Sequence, residues 1–112
     1  MTKLAISSEG PGLDDPVDPR FGRAGGFVIV DSESLESRYL DNGSAQVAPK
    51  GAGYQAAKRV ADAGAEVVLS GYVGPKAFDA LKAAGIRVGQ NCDKMTVREA
   101  VEKFKRGEIT LS

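Results

Sequence analysis

Two glycine-rich stretches next to basic side chains are the part of the sequence best suited to chemistry. The first is Gly51-Ala52-Gly53, preceded by Lys50, and the second is Gly71-Tyr72-Val73-Gly74, followed by Pro75 and Lys76. Both stretches come directly before a segment with helical periodicity. The first turn of a helix presents unpaired N–H groups and a partial positive charge, so these positions predict the binding of an anion.

A long loop carries further positive charge. Residues 9–26 are rich in Pro, Gly and Asp, which block regular structure, and they include Arg20 and Arg23. Loops of this length without regular structure are usually functional. We expect this one to be mobile, because Gly and Pro turns with little apolar content bury few contacts.

The glycines and basic residues also permit a plainer interpretation, in which the glycines only turn the chain and the cations are solvated. Their spacing matches neither the P-loop nor the dinucleotide-binding motif, so a nucleotide site is weakly supported. An anion site is nevertheless favoured, because several such loops should meet at one edge of the β-sheet that the sequence predicts. The basic residues in or beside those loops are Arg20, Arg23, Lys50, Lys76 and Lys94.

Cys92 is the single cysteine, and it comes a few residues before a predicted helix. That placement could lower the pKa of its thiol and make it a soft-metal ligand. The alternative is a buried cysteine that packs as a small hydrophobic residue. Acidic residues in the long loop do not have calcium-loop spacing and are more typical of turns; they are Glu9, Asp14, Asp15 and Asp18.

Composition excludes several classes of protein. The 112 residues predict one domain, and 15 basic against 15 acidic residues leave no surplus charge for nucleic-acid binding. The absence of histidine excludes a Ser-His-Asp enzyme and an imidazole zinc site. A single cysteine fits a reducing compartment, and no apolar run predicts a membrane span or signal peptide, so we expect a cytoplasmic protein.

Hydrophobic patterning predicts an α/β fold with the order β, β, β, α, β, α, β, α. Strands are expected at 3–8, 27–31, 36–40, 66–69 and 86–88. Helices are expected at 54–63, at 75–84, and from a capping box at Thr96 to Gly107. The second half requires parallel strands, and the hairpin adds antiparallel ones, giving a mixed five-stranded sheet. Its carboxyl edge should gather the loops 9–26, 41–53, 70–74 and 89–95, three of which lead into a helix.

Several of these segments together resemble one known family. They are Asp18-Pro19-Arg20-Phe21-Gly22-Arg23-Ala24 before a strand ending at Asp31, Gly51-Ala52-Gly53, Gly71 to Phe78 with Leu81 to Ile86, and Thr96 to Ala100. In this order they resemble the dinitrogenase iron–molybdenum cofactor biosynthesis family, which includes NifX and the C-terminal part of NifB. The resemblance covers nearly the whole chain.

The resemblance implies a ribonuclease H-like fold with the sheet order 3-2-1-4-5. It implies a non-enzymatic carrier of an anionic molybdenum cluster, either an iron–molybdenum cofactor or precursor or a molybdenum–copper sulfide. The chain is similar to the small stand-alone type, the orange proteins of sulfate reducers, which hold their cluster non-covalently. The expected partners are a protein donor or recipient of the cluster, and we expect a monomer or weak dimer.

One departure from the family concerns the ligands, since carriers of this kind often use histidine and this chain has none. Non-covalent holding is therefore favoured, with Cys92 as the only thiol. We expect charge from Arg20, Arg23, Lys50 and Lys76, and close backbone approach at Gly51, Gly53, Gly71 and Gly74. The alternatives are an enzyme for a small phosphorylated or carboxylated substrate, and a protein-interaction module without a cluster.

Overall fold

Five strands lie side by side at the centre of the computed structural model, which describes residues 2–43 and 52–112. They are β1 (Lys3–Ser8), β2 (Gly26–Asp31), β3 (Ser37–Asp41), β4 (Val67–Leu69) and β5 (Arg87–Gly89). Their order is β3-β2-β1-β4-β5, with β2 antiparallel to β1 and β3, and β4 parallel to β1 and β5. This arrangement confirms the predicted mixed sheet and the order that the resemblance implies.

In the described part of the chain, three helices cover the two faces of this sheet. Helices α1 (Ala52–Asp62) and α2 (Pro75–Ala83) share a core with Ala5, Phe27 and Ile29, whereas α3 (Val97–Lys105) shares the other core with Leu4 and Val28. Neighbouring strand residues point to opposite faces, so β1, β2 and β4 each contribute side chains to both cores. No helix among the described residues is long and apolar enough to cross a membrane.

Helix α1 begins earlier than predicted. The loop expected at 41–53 is wrong at its end, because Ala52 and Gly53 already belong to α1. A Cβ on Gly53 would lie 3.0 Å from the Cβ of Ala77 in α2, so the glycine lets the two helices approach closely. Glycine is a poor helix former, and sequence rules therefore place it in a loop.

The 9–26 loop makes more contacts than expected. Val17, Phe21 and Ala24 are buried in the two cores, so the premise that this segment buries little apolar surface is wrong. The N–H of Asp18 donates to the Ser7 carbonyl at 2.8 Å, and the N–H of Val17 donates to the Met95 carbonyl at 2.9 Å. The turn-forming residues at 10–16 made the whole segment look polar and irregular. The apolar residues after them pack in the cores and fix the second half of the loop.

Candidate functional site

A cavity of about 610 Å³ lies where the loop after β1 meets the N-terminal turns of α1 and α2. The described residues around it are Arg20, Phe21, Gly22, Arg23, Ala52, Gly53, Tyr72, Gly74, Pro75, Lys76 and Ala77. Of the residues predicted for an anion site, the structure brings together Arg20, Arg23, Gly53, Gly74 and Lys76. Lys50 and Gly51, predicted for the same site, lie outside the described residues.

Gly71 joins the two loops that form one wall of this cavity. A Cβ at this position would lie 2.7 Å from the Cα of Pro19, so only glycine lets the backbones approach this closely. The N–H of Tyr72 donates to the Pro19 carbonyl at 2.8 Å, and the N–H of Phe21 donates to the Tyr72 carbonyl at 3.0 Å. The close approach shown at Gly71 is therefore to the Arg20 loop, and Gly71 itself is not among the cavity-lining residues.

A buried serine pair supports the same loop from below. Ser7 is the second-to-last residue of β1, Ser70 directly follows β4, and both are 0% exposed. The Ser7 Oγ is hydrogen-bonded to the Asp18 carbonyl and to the Ser70 Oγ, each at 2.8 Å. Our sequence reasoning missed both serines. The signal available was a small polar residue at the carboxyl end of each of two adjacent parallel strands.

Asp18 turns the chain so that Arg20 follows the buried segment. Its Oδ1 accepts the N–H of Arg20 at 2.9 Å and lies 4.0 Å from the Arg20 Nε. The Arg20 side chain is 62% exposed, so its charge is available to solvent or a ligand. Asp15 likewise accepts the N–H of Gly12 at 2.8 Å. These contacts confirm the turn-forming interpretation for Asp15 and Asp18, whereas the Asp14 carboxylate pairs with Arg98 of α3 at 2.9 Å.

The N-terminus of α2 is open toward the cavity. Gly74 is its N-cap and supplies no side-chain hydrogen bond, and Pro75 has no N–H. The N–H of Phe78 donates to the Gly74 carbonyl at 2.8 Å, so the N–H groups of Lys76 and Ala77 precede the hydrogen-bonded part of the helix. None of the cavity-lining residues that the structure describes is acidic. The site therefore combines three cations with the positive ends of two helix dipoles.

The N-terminus of α3 is closed by its own capping interactions. The Thr96 Oγ1 accepts the N–H of Glu99 at 3.1 Å, and the Glu99 Oε1 accepts the N–H of Thr96 at 2.7 Å. The N–H groups of Val97 and Arg98 donate to the carbonyls of Asp15 and Leu13 at 3.0 and 2.7 Å. The expectation that three helix N-termini would be available at this edge is therefore wrong for α3.

Cys92 lies away from the cation-lined cavity. It is 1% exposed, and it borders a separate cavity of about 420 Å³ with Met95, Lys103 and Glu108. Burial raises the pKa of the Cys92 thiol to about 11, which contradicts the interpretation of Cys92 as a soft-metal ligand with a lowered pKa. The α3 amides that were expected to lower this pKa are occupied by the 13–15 segment. The alternative agrees with the structure, since Cys92 packs in the core that contains Leu4 and Val28. No group of three or more His, Cys, Asp or Glu side chains that could hold a metal occurs among the described residues.

The two tyrosines beside the glycine stretches are both exposed, Tyr54 by 62% and Tyr72 by 61%. Tyr72 lines the cation-lined cavity, whereas Tyr54 borders a shallow groove between α1 and α2. Tyr72 therefore contributes an aromatic ring to the cation-lined cavity, and Tyr54 does not.

Comparison with known proteins places this site in a family. An orange protein from Desulfovibrio gigas, solved in its apo form, is 54% identical with a TM-score of 0.96, covering 100% of this chain and 93% of that one. A NifB-like protein from Thermotoga, solved by NMR, is 34% identical with a TM-score of 0.81, covering 97% of this chain and 91% of that one.

An uncharacterized protein of Methanocaldococcus jannaschii is 26% identical over 111 residues, which cover 97% of this chain and 90% of that protein. Residues 2–107 match the family described as dinitrogenase iron-molybdenum cofactor. The match extends over both cores and every described residue of the cation-lined cavity. The chain therefore belongs to the dinitrogenase iron-molybdenum cofactor family.

Proposed function

We propose that this protein is a carrier or chaperone that holds an anionic, molybdenum-containing metal-sulfide cluster non-covalently in the cation-lined cavity. The cluster is its cargo, of the iron–molybdenum or molybdenum–copper sulfide type. The proposed ligand-binding residues are Arg20, Arg23, Gly53, Gly74 and Lys76, together with Lys50 and Gly51. Gly71 contributes indirectly, by joining the loops that form the cavity wall.

The observation that carries the proposal is the charge of the cavity in a chain of zero net charge. Its described lining includes Arg20, Arg23 and Lys76 and no carboxylate. Two helix N-termini add N–H donors and partial positive charge at the same place. Metal-sulfide clusters of this kind are anions with sulfur acceptors on their surface, so a preorganised set of donors suits them.

Non-covalent holding is energetically sufficient. A hydrogen bond to a charged group contributes about 1.5–3 kcal/mol net, so four or five give about 8 kcal/mol. That free energy corresponds to a dissociation constant of about 1 μM. The cost of association lowers the affinity unless the loops are preordered. The hydrogen bonds that tie Asp18, Pro19 and Phe21 to the sheet and to Tyr72 provide that order.

A cavity without covalent ligands also suits transfer. The chain has no histidine, and Cys92 is buried beside a different cavity. Release of the cluster to a recipient protein would then break hydrogen bonds and ion pairs but no metal–ligand bond. The site is proposed to bind and hand over its cargo without catalytic turnover. Its partners are a protein donor or recipient, with no role for nucleic acid.

The test is anaerobic purification after expression with molybdenum, copper and iron supplied, followed by absorption spectroscopy and elemental analysis of one sample. We expect a coloured protein with about one cluster per chain and molybdenum among its metals. A colourless, metal-free protein that also takes up no added tetrathiomolybdate would overturn the proposal. Measuring uptake against salt adds a second check, because binding to three cations should weaken as ionic strength rises.

A further inference from the structure

A buried asparagine lies behind the cavity wall that carries Arg23. Asn42 directly follows β3 and is 0% exposed. Its Nδ2 donates to the carbonyls of Gly22 and Ala24, at 3.3 and 3.0 Å. These carbonyls flank Arg23, and both Gly22 and Arg23 line the cavity. A single side-chain amide therefore holds both sides of the turn on which Arg23 is carried.

The side-chain oxygen of Asn42 is hydrogen-bonded to Arg59 of α1. The Arg59 Nη1 donates to the Asn42 Oδ1 at 2.9 Å and to its main-chain carbonyl at 2.6 Å. Arginine only donates, so the Oδ1 must face Arg59, and the Nδ2 must face the two carbonyls of the turn. The N–H of Asn42 donates to the Gly25 carbonyl at 3.1 Å. The orientation of this amide is thus fully determined.

The turn also returns to the first residues of α1. A Cβ on Gly22 would lie 2.9 Å from the Cα of Gly53, so the turn packs directly on the start of the helix. Asn42 and Arg59 form a second link between the turn and α1, because Asn42 binds the turn and Arg59 lies about two turns further along the same helix. The position of Arg23 relative to the N–H groups of α1 therefore depends on the Asn42 side chain.

We propose that Asn42 is a positioning residue for anion binding, which holds the turn of residues 22–24 against the first turn of α1. This inference rests on the proposed function, since the anion concerned is that of the cluster. A site held in its binding geometry before the ligand arrives avoids the ordering cost of association. Asn42 touches no cavity surface itself, and it acts through the turn.

The variant that isolates this role is Asn42→Asp. It keeps the size of the side chain and the oxygen that accepts from Arg59, but it replaces the donor Nδ2 by an oxygen facing two carbonyl oxygens. The matched control is Asn91→Asp, which makes the same change in an exposed residue bordering the other cavity. Asn91 has a φ of 66°, and aspartate tolerates this conformation.

The affinity for tetrathiomolybdate is measured for wild type, N42D, R23A and the double variant. We expect N42D to bind about tenfold more weakly, equal to about 1.4 kcal/mol, and N91D to bind within about twofold of wild type. The double variant should bind at most about twofold more weakly than the single variant with the lower affinity, because both substitutions act through Arg23. Unchanged affinity in N42D, or losses that multiply, would overturn the proposal.

Amide hydrogen exchange of the free protein tests the same contact without any ligand. In N42D the N–H groups of Ala24 and Asn42 should exchange about tenfold faster or more than in N91D, while the amides of β4 keep their rates. If the wild type is purified without metal and also takes up no tetrathiomolybdate, the proposed function fails, and exchange then decides only whether Asn42 holds the turn. Unchanged exchange overturns it. If N42D does not fold, Asn42→Ala is used in its place, because it removes the two N–H donors of the Asn42 side chain without adding a charge.

Discussion

Helices α2 and α3 each begin after a parallel strand, yet their N-termini are built differently. The N-terminus of α2 has the glycine cap Gly74 without a side-chain bond, and Lys76 in its first turn faces the cation-lined cavity. The N-terminus of α3 has a capping box of Thr96 and Glu99, and carbonyls of the 13–15 segment accept its next two N–H groups. One helix end is left for a ligand, and the other is used to fasten a loop.

The difference indicates that a helix N-terminus can bind an anion only where the protein leaves its N–H groups unused. At α3 the same groups stabilise the fold by holding the 13–15 segment. At α2, Gly74 and Pro75 supply no side-chain acceptor for these N–H groups, and the charged side chains described around the cavity are cationic. On the proposed function, binding and stability are therefore divided between two similar helices at one edge of the sheet.

The largest effect is expected from giving α2 a cap of its own. Gly74→Asp places a carboxylate beside the N–H groups of Lys76 and Ala77, where it competes with the cluster and repels it. We expect tetrathiomolybdate affinity to fall about thirtyfold or more, while helix stability is kept or rises. A Cβ at this position lies 3.9 Å from its nearest neighbour, a Tyr72 ring carbon, so a side chain can be added there. Gly74→Asn is the control, because it adds a side chain of the same size without the negative charge, and it should lose less affinity than Gly74→Asp. Unchanged affinity in G74D would remove the α2 N-terminus from the site.

The next effect concerns the cations. Replacing Arg20 and Arg23 together by alanine should weaken cluster uptake about tenfold or more and reduce its salt dependence. Arg98→Ala is the control, because Arg98 belongs to α3 and pairs with Asp14 at 2.9 Å. Uptake is followed by titration with tetrathiomolybdate at several salt concentrations. Equal uptake in the two variants would contradict the assignment of the cavity.

A smaller effect, on stability alone, is expected at the capped helix. Thr96→Ala removes the side-chain acceptor of the Glu99 N–H and should lower the free energy of unfolding by about 1 kcal/mol. Affinity for tetrathiomolybdate should stay within about twofold of wild type. Urea denaturation and titration of the same samples separate the two quantities. Loss of affinity without loss of stability would make α3 part of the binding site.

The smallest effect is a pH dependence at the contact between Asp14 and Arg98. Hydrogen bonding and charge from Arg98 hold the pKa of Asp14 below its ordinary value of 3.8. A lowered pKa adds stability at pH values above 3.8 and loses it as the pH falls through the folded-state pKa. Asp14→Asn should therefore be slightly less stable than wild type at about pH 5, with the difference shrinking as the pH falls below 3.8. Urea midpoints across that range measure it, and a difference that grew in acid would contradict the sign.

Local patterns predicted most of the fold because they report local physics. The strand at 3–8 and the start of α2 at Pro75 agree with the prediction, since burial patterning and a proline at the first helical position are visible in sequence. The prediction placed Gly53 in a loop, whereas it lies in α1. A glycine occurs there because it allows close contact with Ala77 of α2, which the local sequence does not show. The long loop was misjudged because its buried residues follow a run of turn formers.

The candidate site was predicted only in part, for a similar reason. Arg20, Gly74 and Lys76 stood out through charge and glycine next to helices, and the structure brings them together. Ser7 and Asn42 did not stand out, because isolated polar residues at strand ends have no motif. Their importance comes from partners that are distant in sequence.

By itself the sequence determined the order of elements, the loops that meet at one edge and the lack of histidine ligands. Tertiary structure alone decided which helix N-terminus is open and where the cysteine lies. At the start of α3, two N–H groups donate to the carbonyls of Leu13 and Asp15, which are more than eighty residues away along the chain. Cys92 is buried beside a second cavity, so its pKa is raised, and this decides between the metal-ligand and packing interpretations that the sequence left open. Whether a polar group is used or left for a ligand depends on what packs against it, and packing is a property of the folded chain.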